Sequence, residues 1–325
     1  MRPRVFVSHA LGGLAAADFD PLAPLREVAD VEVAPADTGP LPPAALRAGV
    51  ARADGLLCVL TDRIDAELIA AGPRLRVIST VSVGVDHIDL EAARARDIAV
   101  GHTPGVLTET TAELAFALIL AASRRIAEAD RFVRAGAWSS DRPWAPDMML
   151  GRDLAGATLG IVGLGAIGQA VAARARAFGM RVVGWSRSPK QVAGVECVEL
   201  EDLFDEADVV SLHVALAPET RHLIGAAALA RMKPDAVLVN TARGPIVDEA
   251  ALCEALDRGH LAGVGLDVFE REPLSPSSRL LEFERVVLAP HIGSASIRTR
   301  RRMVSLAVDN LVAGLAGEPL PHGAL

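Results

Sequence analysis

The stretch TLGIVGLGAIGQAVAARARAFG, residues 158–179, joins an apolar strand pattern to an Ala-rich helical pattern through three glycines. In this context the spacing is typical of a dinucleotide-binding turn. Gly163 permits a tight turn, Gly165 lets the backbone approach a pyrophosphate, and Gly168 lets helix and strand pack closely. The alternative is a strand–helix turn that binds no ligand.

The start of the following helix would supply the contacts to the phosphates. Free N–H groups and the positive end of the helix dipole favour an anion at a helix N-terminus. The residues predicted to bind the cofactor at this turn are Gly163, Gly165, Ala166, Ile167 and Gly168.

The rest of the chain repeats the alternation of strand and helix. Its 325 residues suffice for two domains with cores of their own. Apolar runs such as RVFVSH, GLLCVL and RVIST come first, and TLGIVGLG, RVVGWS, DVVSLHV and AVLVNTA come later, with helical patterns between them. This alternation predicts two successive α/β units with parallel sheets.

The boundary between the units is predicted near HTPGVLTET, where turn residues precede a long helix, TTAELAFALILAASRRIAEADRFVRAG. A Trp- and Pro-rich arm, AWSSDRPWAPDMMLGRDLAG, follows that helix. The last helix, SIRTRRRMVSLAVDNLVAGLAG, comes after all the strands and is expected to return to the first unit. We therefore predict a discontinuous domain, residues 1–102 and 293–325, and a second domain, residues 103–292.

Composition excludes several classes of function. The net charge of −8 and the absence of a basic run argue against nucleic-acid binding. No apolar run reaches the roughly 18 residues that span a bilayer, so we expect a soluble cytoplasmic protein. Cys58, Cys197 and Cys253 form no CxxC pair, and no metal site is predicted. Because the chain lacks tyrosine, the Tyr-Lys chemistry of short-chain dehydrogenases is excluded.

The segment after the next strand decides the cofactor. An Asp or Glu usually stands there to bind the ribose of NAD, but this chain has Ser186, Arg187 and Ser188, with Lys190 close by. A guanidinium can bind the 2′-phosphate of NADP, which a carboxylate would repel. We predict NADPH (NADP) as the preferred cofactor, and leave use of NADH (NAD) open. The alternative is that Arg187 is an ordinary solvated side chain.

Four further motifs, VSVGVDHIDL, VNTARGPIVDEAAL, GLDVFEREP and LAPHIGSAS, complete a pattern with the glycine turn and GVLTETTAELAFALILAASRRI. Together they resemble the D-isomer-specific 2-hydroxyacid dehydrogenase family, from about residue 50 to the end. The segment MMLGRDLAGATLGIVGLGAIGQAVA is most similar to the glyoxylate/hydroxypyruvate reductase branch. The resemblance implies two doubly wound parallel-sheet domains, a Rossmann cofactor domain and a flavodoxin-like substrate domain, with a cleft between them.

The resemblance also implies catalytic roles that suit the residue chemistry. Arg243 would bind the carboxylate and carbonyl oxygen of a 2-oxo acid, because its guanidinium group is always charged and can donate two hydrogen bonds side by side. His291 would be the acid–base, since imidazole titrates near neutral pH. Glu272 would hydrogen-bond His291 and favour its protonated form. Taken singly, these residues could instead be an ion-pair partner, a strand-end cap and a solvated acid.

Further site residues are implied in the same way. The backbone N–H groups of Val83 and Gly84 would bind the substrate carboxylate, although the turn could be a plain one capped by Asp86 or Asp89. Glu270 is expected to point to solvent. The resemblance adds Thr241 and Asp267 to the cofactor site, and Ser294 and Trp144 to the substrate site.

Trp144 is linked to assembly. Residues 110–125 are apolar on nearly all sides, which indicates burial, either in their own domain or in a two-fold dimer. The family resemblance implies a homodimer in which a Trp of the arm, residues 138–150, reaches the partner's substrate site. Trp144 matches that position best, and Trp138 is the fallback.

The predicted activity is reduction of hydroxypyruvate or glyoxylate to the D-2-hydroxy acid. A different D-2-hydroxyacid dehydrogenase, of D-lactate or phosphoglycerate type, and a dinucleotide-sensing, corepressor-like protein without activity are the alternatives. The chain departs from a family motif in LHVALAPET, where Ala215 and Ala217 replace Pro and Thr. We expect this change to adjust cofactor affinity without abolishing it.

Overall fold

Parallel strands form both sheets of the computed structural model, which describes residues 2–35, 41–188 and 190–325. The chain divides into two units, Met1–Leu107 with Ser294–Leu325, and Thr108–Gly293. The sequence-based division fell after residues 102 and 292, whereas the units divide after Leu107 and Gly293.

The first unit has a five-stranded sheet in the order β2-β1-β3-β4-β5, the flavodoxin-like order. Its strands are β1 (Arg4–Val7), β2 (Asp30–Val33), β3 (Gly55–Cys58), β4 (Val77–Thr80) and β5 (Ala99–Gly101). Its helices are α1 (Ala23–Val28), α2 (Pro43–Val50), α3 (Ala66–Ala71), α4 (Leu90–Arg94) and α11 (Ile297–Ala316).

Both faces of this sheet are buried, because successive side chains along a strand point to opposite faces. In β1, Val5 and Val7 pack with α11, while Phe6 joins the core on the other face. The last helix of the chain is therefore part of the unit that contains the first strand. Its apolar stripe includes Met303, Ala307 and Leu311.

The second unit has a seven-stranded sheet in the order β12-β11-β10-β9-β6-β7-β8. This is the Rossmann order extended by one strand at the edge, so the predicted fold class is confirmed. The strands are β6 (Thr158–Val162), β7 (Arg181–Trp185), β8 (Glu196–Cys197), β9 (Val209–Leu212), β10 (Val237–Asn240), β11 (Gly263–Leu266) and β12 (Val286–Leu288). The helices are α5 (Thr108–Ser123), α6 (Ile126–Arg134), α7 (Ala166–Ala177), α8 (Leu200–Glu206), α9 (Ala226–Arg231) and α10 (Glu249–Asp257).

The strand order reverses direction at β6, which pairs with β7 on one side and β9 on the other. Such a switch point opens a crevice at the carboxyl ends of the strands, where α/β proteins bind ligands. Residues that follow β6, β7, β10, β11 and β12 therefore share one edge of the sheet, although the chain separates them widely.

One predicted helix is two helices in the structure. The pattern predicted a continuous helix up to residue 136, but α5 ends at Ser123 and Arg125 has a left-handed φ of +54°. The N–H of Arg152 donates to the Ser123 carbonyl oxygen at 2.9 Å, which occupies the acceptor at the helix end. Gly151 approaches the same carbonyl so closely that a Cβ there would lie 2.4 Å from its oxygen. The returning arm thus ends α5, a contact that the helix sequence alone does not reveal.

None of the helices within the described residues combines the length and the hydrophobicity that crossing a membrane requires.

Candidate active site

The turn between β6 and α7 contains the glycines of the opening motif. Gly163 has a φ of +108°, and a Cβ built on it would lie 2.7 Å from the carbonyl carbon of His213. A Cβ on Gly168 would lie 2.1 Å from the Gly163 oxygen. The turn can close at this backbone distance only because both residues are glycine.

Gly165 is different, because a Cβ at this position would meet no protein atom within 4 Å. It is the N-cap of the 12-residue α7 and has no side chain to cap the helix. The first amides of α7 are therefore left for another acceptor. An open cradle of N–H groups at a helix N-terminus fits a pyrophosphate, so these residues suit a dinucleotide.

The loop after β7 adjoins this turn, since the Gly163 N–H donates to the Trp185 carbonyl oxygen at 2.8 Å. Ser186 and Ser188 are tied together, because the Ser186 Oγ donates to the Ser188 carbonyl oxygen at 2.7 Å. The short loop is thus closed on itself next to the glycine turn.

Arg187 is exposed at the tip of this loop, and its guanidinium forms no ion pair within the part of the chain that the structure describes. The Nζ of Lys190 lies 3.5 Å from the Leu164 carbonyl oxygen, in the glycine turn itself. The segment that follows β7 therefore brings two cations to the neighbourhood of the glycine turn.

His291 follows β12 and adopts a left-handed conformation with φ of +53°. Its N–H donates to the Asp267 carbonyl oxygen at 2.8 Å, and its Nδ1 lies 2.6 Å from Oε2 of Glu272. The two side chains are only 24% and 26% exposed. Because an ionised carboxylate only accepts hydrogen bonds, Nδ1 is the donor and Nε2 is the ring atom left for a ligand.

The environment of Glu272 keeps its carboxylate ionised. Burial by itself raises the pKa of this carboxyl, but the hydrogen bond and positive charge of His291 act in the opposite direction. The N–H of Phe269, which donates to Oε1 at 3.0 Å, and the charge of Arg243 add to them. The net effect lowers the pKa of Glu272, so its carboxylate stays ionised beside the imidazole.

Asp267 holds the segment that contains His291. Its side chain is buried, and its two oxygens accept the N–H groups of Ile292 at 2.7 Å and Gly293 at 2.8 Å. Burial, the largest cause, raises the pKa of Asp267, although these amides and the charge of His291 oppose it. The structure thus places this residue beneath the turn; its predicted contact with the nicotinamide stays a prediction.

Arg243 follows β10 on a turn organised by Asn240. The fully buried Asn240 accepts the N–H of Ala242 at 3.0 Å through Oδ1, and its Nδ2 donates to the Arg243 carbonyl oxygen at 2.9 Å. Asn240 is not among the residues predicted from the sequence, although an Asn at the end of an apolar strand, in VNTARG, is a signal for such a turn.

The next residue brings Arg243 near the Glu272 turn. A Cβ on Gly244 would lie 1.8 Å from the Phe269 carbonyl carbon, so only glycine allows the two backbones to meet. Thr241, in the same turn, is buried, and its Oγ1 has no hydrogen-bond partner among the described residues. Such a hydroxyl is available to a bound molecule.

Glu270 is exposed, as predicted, but it also has partners within the protein. Its Oε1 lies 2.6 Å from Nε2 of His222, and its N–H donates to Oε1 of Glu249 at 2.7 Å. Burial raises the pKa of Glu249, with Glu270 and Glu272 adding negative charge nearby. No sequence motif signalled these contacts, because they depend on how two loops meet the start of α10.

In the first unit, the turn after β4 contains Val83 and Gly84. The N–H groups of both residues donate to no other group in the described parts of the chain. Asp89 caps α4, as the alternative of a plain turn expected, and its side chain accepts a hydrogen bond from the Ala92 N–H at 2.9 Å. Ser294 is half-buried, and its carbonyl oxygen accepts the Ser296 N–H at 2.8 Å.

Two tryptophans of the arm are exposed. Trp144 is 75% exposed and Trp138 is 57% exposed. Neither belongs to a core cluster of the described residues. The structure therefore does not join Trp144 to the other predicted site residues of this unit.

The loop with Ala215 and Ala217 is held by Thr220, whose Oγ1 donates to the Ala215 carbonyl oxygen at 2.7 Å. His213, just before it, lies 2.9 Å from the Ser211 Oγ through Nε2, and burial lowers the pKa of His213 to about 4. This imidazole is neutral near pH 7, so it adds no charge beside the glycine turn.

Among the described residues, no group of three or more His, Cys, Asp or Glu side chains is arranged to hold a metal ion.

Comparison with known proteins decides the family. Residues 116–293 match the family of D-isomer specific 2-hydroxyacid dehydrogenases at its NAD binding domain. The chain is 48% identical to a glyoxylate reductase of Korarchaeum cryptofilum, over 99% of this chain and 96% of that one. A protein of Thermus thermophilus with a known crystal structure is 50% identical, with a TM-score of 0.91 over 99% of this chain and 100% of that one.

The chain belongs to the D-isomer specific 2-hydroxyacid dehydrogenase family. The predicted family, and the similarity to its glyoxylate reductase branch, are thereby confirmed. As a member, it is an NAD(P)-dependent dehydrogenase that reduces a 2-oxo acid. A solved NADPH-dependent glyoxylate/hydroxypyruvate reductase from Sinorhizobium meliloti, in complex with NADP and malonate, is 33% identical with a TM-score of 0.85 over 100% of this chain and 97% of that one.

Alanine substitutions at two glycines distinguish a residue that would contact the cofactor from one that is needed for packing within the protein. Gly165→Ala should reduce the free energy of unfolding by no more than about 1 kcal/mol, but raise the Kd for the dinucleotide by about tenfold or more because the methyl group enters the open cradle. Gly168→Ala should lose about 1–3 kcal/mol of stability through overpacking. All three tryptophans lie in this unit, so their fluorescence during denaturation reports its stability. Equal cofactor affinity in Gly165→Ala and the unsubstituted enzyme would contradict the cradle assignment.

Proposed function

We propose that this enzyme reduces glyoxylate and hydroxypyruvate with NADPH, forming the D-2-hydroxy acid where the product is chiral, with His291 as the proton donor. The observation that carries the proposal is the 2.6 Å contact between Nδ1 of His291 and Glu272, at the sheet edge that also presents Arg243. The name glyoxylate reductase of relatives that are 43–49% identical supports the choice of substrate.

In the proposed reaction, His291 gives a proton to the carbonyl oxygen of the substrate. Glu272 accepts the hydrogen bond of Nδ1, which orients the ring and leaves Nε2 toward the substrate. When bound, the reduced nicotinamide supplies a hydride to the carbonyl carbon. Glu272 stabilises the imidazolium before transfer, and the neutral imidazole remains after it.

Arg243 would bind the substrate carboxylate together with the N–H groups of Val83 and Gly84. A guanidinium and backbone amides both favour an anion, and the guanidinium can also polarise the carbonyl oxygen. Ser294 would add a hydroxyl donor to the same substrate. These groups would hold the 2-oxo acid so that its carbonyl oxygen meets His291.

The dinucleotide would lie along the glycine turn, with its phosphates on the first amides of α7, at Ala166 and Ile167. Thr241 would offer its unpartnered hydroxyl, and Asp267 would face the nicotinamide side. Ser186, Arg187 and Ser188 would bind the 2′-phosphate of NADP. The exposed guanidinium of Arg187, without an ion pair among the described residues, supports this cofactor preference.

A steady-state assay tests the proposal most simply. Glyoxylate, hydroxypyruvate, pyruvate and 3-phosphohydroxypyruvate are offered in parallel with NADPH and with NADH. We expect the highest kcat/KM for one of the first two acids with NADPH. Preference for pyruvate or the phosphorylated acid would favour a lactate or phosphoglycerate dehydrogenase, and no reduction of any acid would favour a dinucleotide sensor.

Arg187 should determine cofactor preference. NADPH should have the higher kcat/KM in the unsubstituted enzyme, and Arg187→Asp should narrow or reverse the gap, since it replaces an attraction for the 2′-phosphate by a repulsion. Loss of a charge-assisted contact costs roughly 1.5–3 kcal/mol, about tenfold to a hundredfold in KM for NADPH. The KM for NADH serves as the internal control and should not rise. Equal use of both cofactors by the unsubstituted enzyme would refute this preference.

The acid–base pair should control the pH dependence of reduction. His291→Ala should lower kcat by roughly 10²–10⁴ and leave NADPH binding intact. In Glu272→Gln a neutral amide replaces the carboxylate that accepts from Nδ1, which removes the negative charge beside the imidazolium. The alkaline fall of reduction activity should therefore begin at lower pH than in the unsubstituted enzyme. An unchanged pH profile of kcat/KM in Glu272→Gln would count against the pairing.

We further propose that the enzyme is a homodimer formed through α6 and the arm. The dimer predicted from the sequence uses both residues 110–125 and the arm, but α5 buries its apolar side chains in the core of its own unit, with Ile119 completely covered. The large apolar side chains left exposed in this region lie beyond α5: Ile126, Val133, Trp138, Trp144 and Leu150. A second copy would remove these side chains from water.

Within this dimer, Trp144 would close the partner's substrate site. Trp144→Ala should then raise the KM for the 2-oxo acid severalfold, while NADPH affinity and the dimer persist. Trp138→Ala is the comparison variant: this tryptophan is assigned to packing, so KM should stay unchanged as long as sedimentation shows that the dimer persists. Sedimentation at micromolar concentration measures assembly. A monomer would refute the dimer and, with it, any role of Trp144 across subunits.

A further inference from the structure

We propose that His102 is a positioning residue that orients the peptide between Val83 and Gly84 toward the substrate carboxylate. The inference rests on the proposed function of that turn as a carboxylate site. No motif of the sequence assigned a role to His102. The contact that carries the inference joins His102 Nδ1 to the Val83 carbonyl oxygen at 2.9 Å.

Three successive carbonyl groups of the turn are held in place. The Ser82 oxygen accepts the Thr103 N–H at 2.9 Å, and the Gly84 oxygen accepts the Ser82 hydroxyl at 2.7 Å. The Val83 oxygen between them is held by His102. In a planar trans peptide the C=O and the following N–H point in opposite directions. A fixed Val83 carbonyl therefore fixes the direction of the Gly84 N–H.

Of these three contacts, the one made by His102 can be removed by substituting a residue outside the turn. Thr103 contributes a backbone amide, and the hydroxyl of Ser82 belongs to the turn itself. The His102 imidazole reaches the turn from the end of β5, a neighbouring strand. Its substitution therefore removes one contact and leaves the backbone of the turn unaltered.

The imidazole is well placed for this task because its own backbone is clamped. The His102 N–H donates to the His322 carbonyl oxygen at 3.0 Å, and its carbonyl oxygen accepts Nδ2 of Asn310 at 3.0 Å. Asn310 is completely buried in α11, and its Oδ1 accepts the His322 N–H at 2.9 Å. A Cβ on Gly101 would lie 2.6 Å from Asn310 Nδ2, so this close packing requires glycine.

The partner of the ring fixes which nitrogen has a hydrogen. A carbonyl oxygen only accepts, so Nδ1 of His102 is a donor. Nδ1 donates in the corresponding neutral tautomer and equally in the imidazolium, so the contact does not depend on the charge of the ring. His102 would therefore act through geometry, in contrast to His291, which acts through its proton.

Two substitutions test the donor directly. His102→Leu keeps a branched side chain without a donor, whereas His102→Asn places an amide N–H on the same carbon branch as Nδ1. The loss of one hydrogen bond that orients the amide should raise the KM for the 2-oxo acid about three- to tenfold in His102→Leu. The kcat should change less than about twofold, and the Kd for NADPH should stay the same. His102→Asn should restore the KM, with an amide oriented as in the unsubstituted enzyme.

His260 offers a matched control. Its Nε2 lies 2.8 Å from the Leu229 carbonyl oxygen, so it makes the same kind of contact, but it precedes β11 at the amino edge of the other sheet. His260→Leu should leave the KM for the 2-oxo acid unchanged. A rise in KM equal to that in His102→Leu would overturn the inference, because it would show that a general loss of stability is sufficient.

Further outcomes separate this inference from the proposed function. Failure of the unsubstituted enzyme to reduce any 2-oxo acid would overturn the proposed function and the inference together. An active enzyme whose KM is unchanged in His102→Leu, or raised equally in His102→Asn, would overturn the inference alone. If His102→Leu does not fold, His102→Ala takes its place. The measured quantity is then the Kd of oxamate, an unreactive analogue of a 2-oxo acid. A Kd of oxamate unaffected by that substitution would equally overturn the inference.

Discussion

The hydrogen bond between His291 and Glu272 is the interaction on which the site depends. A partly buried carboxylate would be unfavourable without a partner, and this partner is an imidazole held in a left-handed conformation. Asp267 accepts hydrogen bonds from the N–H groups of the two residues that follow His291. A second carboxylate therefore holds the backbone next to the ring that Glu272 contacts. The pair combines a fixed geometry with a negative charge beside the ring, the two features on which the proposed role of His291 as proton donor rests.

The parallel sheet explains how residues so distant in sequence reach this pair. The segments that follow β6, β10, β11 and β12 must emerge at one edge, and each contributes a different chemical group: open amides, a guanidinium, a buried carboxylate and an imidazole. Glycine sets the spacing between these segments. Gly244 lets the Arg243 turn touch the backbone of Phe269, and Gly163 does the same for the cofactor turn and His213. The site therefore depends on these glycines, which allow the close backbone contacts, as much as on the side chains with chemical roles.

Local pattern was sufficient for every strand except the short edge strand β8, for the glycine turn and for the family, because each is encoded in contiguous residues. It was insufficient where distant segments compete for one group. The break after Ser123 depends on Arg152, and the partner of Glu270 is His222 on another loop. Asn240 and His102 support their turns through contacts that no motif reports. Tertiary hydrogen bonds thus account for most of what the sequence did not predict.

The configuration of the product tests the central claim most directly. Glyoxylate yields an achiral product, but reduction of hydroxypyruvate creates a stereocentre. In the proposed reaction, its configuration depends on which face of the carbonyl group lies toward the cofactor while His291 protonates the oxygen. Chiral analysis of the glycerate formed with NADPH should detect the D isomer alone. L-glycerate, or a mixture of the two isomers, would contradict the account.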